Sequence, residues 1–287
     1  MKNDNFITID QIMDAADNLQ KGEINKMINI IIPDFEVEEI FNKIISDKGK
    51  LNPAAALETF LIANILIKEY LMFISTLVEM LIKTWLVKIF SNENNDLNKK
   101  IGELDDAFLN EYLNSSRKIY KFQWMTKNKQ KITLYDFIKN STLGAQVKFM
   151  SLLKDDYIIN LFLSKKQRTK EVANNRLNRN EALACLKTAK EIRNNVNHDS
   201  IVLDQNKYVS IFDNNTKFSN IHLALNDGEK IETVFKSIDY LLKSTGYNKV
   251  QNRLSRQVER QLSQLNLKWD NPRLDFSFLK LDFIYKK

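Results

Sequence analysis

Cysteine, proline and glycine are scarce in this chain, with one, three and six copies respectively among 287 residues. The lone cysteine, Cys185, cannot close an internal disulfide, and a cysteine-based zinc site needs several such ligands at short spacing. So little glycine and proline leaves a β-rich fold without the residues that hairpins, bulges and tight corners demand. Long helices joined by short polar loops are expected instead, and a reducing compartment suits the single thiol.

Other absences narrow the chemistry. No internal repeat, glycine-rich phosphate loop, zinc-ligand cluster or serine-elbow motif occurs, which removes most common enzyme classes. Residues 1–10 carry acids and no basic-then-apolar run, so neither a secretory signal nor a transit peptide is read there. The most apolar stretch, residues 60–90, is interrupted by Lys68, Glu69, Glu79, Lys83 and Lys88, which predicts a core helix rather than a membrane span. A cytoplasmic protein without a membrane partner is the expectation.

What is present is length enough for one large domain or two modest ones, each with its own apolar core. The net charge of +7, with a pI near 9.2, permits nucleic acid as a partner without demanding it. Lysine outnumbers arginine and asparagine is abundant, a bias that an A- and T-rich coding sequence imposes by itself, so isolated asparagines carry little weight.

Apolar spacing predicts an all-α bundle. Residues 8–31 read as two short helices broken at Gly22, and Asp34 precedes a third. Asn52-Pro53 is a good start for a very long helix, because asparagine accepts from free amides and proline loses no needed donor. In it Lys68, Glu69, Ser75, Thr76, Glu79 and Lys83 form one polar stripe. An amphipathic helix is expected over residues 102–120, and one or two helices over 134–163, bent around residues 141–144. Residues 165–179 form a basic loop, and 180–197 a helix ended by Asp199-Ser200. Residues 201–212 alternate weakly, as a short strand or extended excursion would. Residues 221–242 read as helical except around Asp227-Gly228, and 248–266 as a basic amphipathic helix. Three segments follow: an N-terminal helical cap (1–50), a bundle carrying the principal motif (51–245), and a basic helix with an aromatic tail (246–287).

That motif is Glu191-Ile192-Arg193-Asn194-Asn195-Val196-Asn197-His198, an arginine, four residues, then a histidine at a helix end. Asn194 and His198 stand one turn apart on one face, and the long guanidinium of Arg193 reaches around to join them. RNA carries its own nucleophile in the 2′-hydroxyl, so its cleavage needs a base near neutral pKa, a proton donor for the leaving oxygen and a cation on the phosphoryl oxygens. Histidine and arginine suit those tasks. Neither a metal nor another cofactor is required, and no carboxylate or histidine cluster is evident to hold one.

This segment resembles the Arg-x4-to-6-His signature of HEPN ribonucleases, more narrowly the abortive-infection (Abi) proteins related to AbiD and AbiF; type VI CRISPR effectors use the same signature. Residues 134–153, with Phe137, Gly144, Phe149 and Leu152-Leu153, resemble the family's segment between its first long helix and its motif helix. The likeness covers residues 52–198 and the helix beyond. Where the family tends to carry Cys-Ala-His, this chain has Val196-Asn197-His198. The resemblance implies a helical bundle of HEPN type with added terminal helices, acting as a homodimer whose two motifs form a composite active site. In it Arg193 would neutralise the scissile phosphate, His198 would act as base or acid, and Asn194 and Asn197 would orient them. It further implies a metal-independent endoribonuclease, a toxin of phage defence restrained by an antitoxin protein or a small RNA.

RNA-binding candidates are Lys187 and Lys190 before the motif, and Arg253, Arg256 and Arg260, which share one helix face. Basic helix faces are also commonly just solvated. Two alternatives stand beside the nuclease: a non-catalytic RNA- or nucleotide-binding module of the same fold, and a structural or interaction protein whose Arg193 and His198 merely complement the carboxyl end of their helix. His222, Trp85, Trp124 and Trp269 read as packing or surface residues, and Cys185 as a bundle residue.

Overall fold

The structure is a computed structural model that describes residues 7–31, 34–44, 53–91, 96–114, 131–162, 178–198, 202–215, 227–243 and 248–268. Those residues are mostly helical, without a strand among them, so the protein is all-α over its described part. The helices are α1 (Ile9–Ala15), α2 (Asn18–Ile31), α3 (Asp34–Ile44), α4 (Pro53–Phe90), α5 (Asp106–Tyr112), α6 (Leu134–Asn140), α7 (Leu143–Met150), α8 (Asp155–Ile159), α9 (Arg179–His198), α10 (Gln205–Asn215), α11 (Asp227–Lys243) and α12 (Asn248–Lys268).

Side-chain caps, rather than glycines, set many of the boundaries. The break in the N-terminal region falls at Ala16-Asp17, not at Gly22, which lies inside α2. Asp17 accepts from the Gln20 amide at 2.8 Å while Gln20 accepts from the Asp17 amide at 3.3 Å, a reciprocal cap that starts a new helix. A single exposed glycine costs a helix only about 1 kcal/mol, too little to end it. Likewise Asp105 caps α5 through the Phe108 amide, so the expected helix from residue 102 starts later, and Gly102 sits in a separate 3-10 turn, Ile101–Glu103. Thr133 and Thr142 cap α6 and α7, which places the expected bend at Ser141-Thr142 but divides residues 134–162 into three α-helices and a 3-10 turn.

Two further expectations are corrected. Residues 205–215 are helical, not extended. Asp204 accepts from the Asn206 amide at 3.0 Å, and Tyr208, Ile211 and Phe212 are buried at helical spacing that superficially alternates. Asp227-Gly228 opens α11 rather than interrupting it. The basic stretch 163–177, His222, Trp124, Trp269 and the tail from 269 lie outside the described residues.

The axis of the molecule is α4. Leu57, Phe60, Ile67, Leu71, Ile74, Val78, Ile82, Leu86 and Phe90 are buried along it, and Ser75, expected on its polar stripe, is buried too. On it pack α1, α2, α6, α7, α9, α11 and α12. A continuous apolar core runs from Ile12 through Phe41 and Phe60 to Val258. An aromatic knot of Phe90, Phe108, Tyr112 and Phe149 joins the end of α4 to α5 and α7. Among the described residues no helix is long and apolar enough to cross a membrane.

Candidate functional site

The motif helix α9 is the most enclosed after α4, with α4, α7, α8, α10 and α11 as neighbours. Ala182, Cys185, Leu186, Ala189, Ile192 and Val196 face that packing, which fixes the rotation of the helix about its axis. Its amino end is set by a reciprocal cap between Asn178 and Glu181, at 2.8 and 3.0 Å. It is also pinned by Arg179, whose guanidinium donates to the carbonyls of Ser151 and Leu153 and to the Asp155 carboxylate. Arg179, read from sequence as part of a basic loop, is therefore a bracket between α9 and the α7–α8 turn.

At the other end, the helix runs through to His198, so the one-turn spacing of Asn194 and His198 and of Arg193 and Asn197 is realised. His198 and Asn197 are exposed; Arg193 and Asn194 are half-buried. The Arg193 guanidinium lies 4.0 Å from the Glu79 carboxylate on α4, whose other oxygen is 2.9 Å from the Lys83 ammonium. Just beyond, the Val202 amide donates to the Asn64 side chain at 2.8 Å, and the Tyr208 hydroxyl donates to the Val202 carbonyl at 2.7 Å. Arg193 beside Glu79 and Val202 beside Asn64 mean that α9 runs antiparallel to α4. Five residues of helix, about 7.5 Å, then bring His198 level with the turn of α4 between Phe73 and Thr76.

The structure thus brings Arg193, Asn194, Asn197 and His198 to one helix tip. Lys190 and Lys187 lie about one and two turns before Arg193; the Lys190 ammonium pairs with Glu191 at 2.6 Å, and its stem passes beside Gly144 of α7. Arg253, Arg256 and Arg260 are exposed on α12, opposite the buried Ser255 and Val258. Because α12 packs on α4 and α11, which α9 also touches, the two basic groups share a scaffold without belonging to one helix.

The chain matches no protein-family profile, no curated protein and no solved structure.

The sequence marks Glu79 only as part of the polar stripe of α4, and does not single out Asn64 or Tyr208. The available signal was a polar residue within the longest apolar helix, but Asn64 was masked by the general abundance of asparagine. Three other polar clusters are structural. Asp96, buried, receives Lys99 at 2.7 Å and the Tyr112 hydroxyl at 3.2 Å, and burial pushes the Tyr112 hydroxyl well above its ordinary range. Burial likewise pushes the Cys185 thiol up to about 11, which leaves it a packing residue rather than a nucleophile. Trp85 donates to the Tyr157 carbonyl at 2.8 Å and packs on the core. Among the described residues no three of His, Cys, Asp and Glu are grouped so as to hold a metal ion.

Proposed function

We propose that this protein is a metal-independent endoribonuclease of the HEPN type. The observation that carries the reading is an exposed imidazole, His198, at the tip of a well-packed helix, with two asparagine amides within about one turn and the Arg193 guanidinium five residues back. A neutral imidazole there takes the proton from an RNA 2′-hydroxyl as its oxygen attacks the adjacent phosphorus. The P–O5′ bond breaks, and the departing oxygen takes a proton from an imidazolium. The products are a 2′,3′-cyclic phosphate and a 5′-hydroxyl. Arg193 balances the charge that builds on the phosphoryl oxygens, and Asn194 and Asn197 orient the phosphate. One chain supplies one such histidine, so a second copy provides the acid that partners the base.

Lys187 and Lys190, with Arg253, Arg256 and Arg260, are the phosphate contacts of the flanking RNA in this reading. Resemblance to abortive-infection proteins extends it to a growth-arresting toxin of phage defence, held in check by an antitoxin protein or a small RNA.

The second reading is a binding or interaction module without chemistry. Glu79 favours it, since a carboxylate beside Arg193 is what a structural ion pair looks like. Purified protein with end-labelled RNA in excess chelator separates the two. A nuclease yields cyclic-phosphate ends that disappear in Arg193→Ala and His198→Ala, while a binder yields none and loses only affinity. Undiminished cleavage in both variants removes the assignment.

A further inference from the structure

The long helix α4 is covered on most sides but not on all. Glu69, Met72, Phe73, Thr76 and Met80 are exposed, with Met72 at 46 %, Phe73 at 40 % and Met80 at 51 %. These three make up most of the exposed large hydrophobics among the described residues, and their spacing puts them on one helix face, so the exposure is a patch and not a scatter.

The face reads the same in both directions about Thr76. Four residues before it is Met72, and four after is Met80; seven before is Glu69, and seven after is Lys83; eleven before is Ile65, and eleven after is Val87. Offsets of four, seven and eleven are the same-face repeats of an α-helix. When two copies of such a helix lie antiparallel and cross at Thr76, each residue meets its counterpart at the opposite offset. Met72 then packs on Met80 of the other copy, and the Glu69 carboxylate comes level with the Lys83 ammonium, which pairs with Glu79 at 2.9 Å within its own copy, each contact occurring twice. A parallel pairing would set Glu69 against Glu69 and Lys83 against Lys83.

We propose that this face of α4 is the interface of a two-fold homodimer with Thr76 at its axis. Methionine supplies adaptable apolar area, and the Glu69–Lys83 pairs set direction and register.

The symmetry also disposes the motif helices. The two-fold that exchanges antiparallel helices is perpendicular to the plane containing them, so whatever flanks one copy on a given side flanks the other on the same side. Both α9 helices therefore line one side of the paired α4 helices. Within a copy Arg193 is level with Glu79, three residues beyond the axis, and His198 lies about two residues before it. Inverted by the two-fold, His198 of one copy comes level with Arg193 of the other. That this shared groove is one catalytic centre rests on the ribonuclease reading; the interface itself does not.

The test uses full-length protein. Sedimentation is expected to give a dimer that Glu69→Lys or Lys83→Glu each weakens at least tenfold, and that the double exchange restores. Under mild oxidation Thr76→Cys is expected to form a disulfide-linked dimer by itself, whereas Met72→Cys and Met80→Cys cross-link when mixed and not alone. Cys185, being buried, adds no background. A monomer at every concentration, no link through Thr76→Cys, or Met72→Cys linking to itself overturns the proposal; the first is also the outcome if a segment of the same chain covers the face. A cross-linkable dimer that cuts no RNA supports the interface and removes the ribonuclease reading. A monomer that cuts RNA does the reverse.

Discussion

Two arginines on α9, Arg179 at its start and Arg193 near its end, are held in opposite ways. Arg179 is 16 % exposed and spends its guanidinium on two backbone carbonyls and the Asp155 carboxylate, which also accepts from the Asn114 side chain at 3.0 Å. Arg193 is 30 % exposed and lies 4.0 Å from the Glu79 carboxylate, a longer pairing than that of Arg179. The charge is the same at both positions, and the partners assign the task. A guanidinium locked onto carbonyls joins pieces of the fold, whereas one farther from its carboxylate and more exposed stands at the surface of the motif helix.

The sharpest way to break that contrast is to remove each arginine in turn. Arg193→Ala and His198→Ala are expected to lower RNA cleavage by roughly 100-fold or more each, the scale of losing acid–base or charge stabilisation, with thermal unfolding unchanged. Arg179→Ala is expected to do the opposite. Each bond from a charged donor is worth about 1.5–3 kcal/mol, so losing the bracket should cost about 3 kcal/mol and lower Tm by roughly 5 °C or more. Calorimetry alongside an end-labelled RNA assay reads both, and a destabilised Arg193→Ala would erase the distinction.

Next in size is the clamp beyond the motif. Asn64→Ala leaves the buried Val202 amide without its acceptor, an expected loss of about 1–3 kcal/mol by denaturant titration, with cleavage reduced because the chain leaving His198 is less well fixed. Asn64→Asp, which keeps an acceptor, should recover part of the RNA activity; no recovery would argue that Asn64 serves packing alone.

Cys185 provides a smaller, pH-dependent effect. Its thiol is raised from the ordinary 9.0 to about 11 in the folded protein by burial, so the folded state holds its proton where the unfolded chain has lost it. That stabilisation is fully present below pH 9 and is lost as pH rises from about 9 to 11. Stability should fall more steeply over that window in the parent than in Cys185→Ala, and thiol reagents at pH 8 should modify only unfolded protein. Rapid modification of the native chain would show the site to be open.

The smallest effect tests the corrected N-terminal boundary. Gly22 lies within α2 with open space where a Cβ would stand, so Gly22→Ala should stabilise the protein by about 0.5–1 kcal/mol. A destabilised variant would restore the break at Gly22 that the composition first suggests.

How much was legible beforehand follows from the range of the interactions involved. Pro53 opening a long helix, the span of α9 and the helical phase of α12 rest on contacts within a turn or two, and those are written in adjacent residues. The motif itself is local for the same reason, since Arg193 and His198 are neighbours along one helix. The boundaries at residues 16–22 and 102–105 differ from expectation because side-chain caps at Asp17 and Asp105 set the helix starts, where a glycine and apolar spacing respectively suggest others. The extended reading of residues 201–212 failed because a buried helical face with paired apolar positions mimics alternation over so short a run.

By itself the amino-acid order determined an all-helical chain with an arginine and a histidine at one helix tip, because helix propensity, capping and apolar phase act over a few residues. Only the tertiary structure decided that Glu79 stands beside Arg193 and that Asn64 holds Val202, 138 positions away in the chain. It also decided that, among the described residues, one face of α4 is left exposed. Those outcomes depend on which helices pack together and at what rotation, a choice made by the whole core and recorded in no single segment.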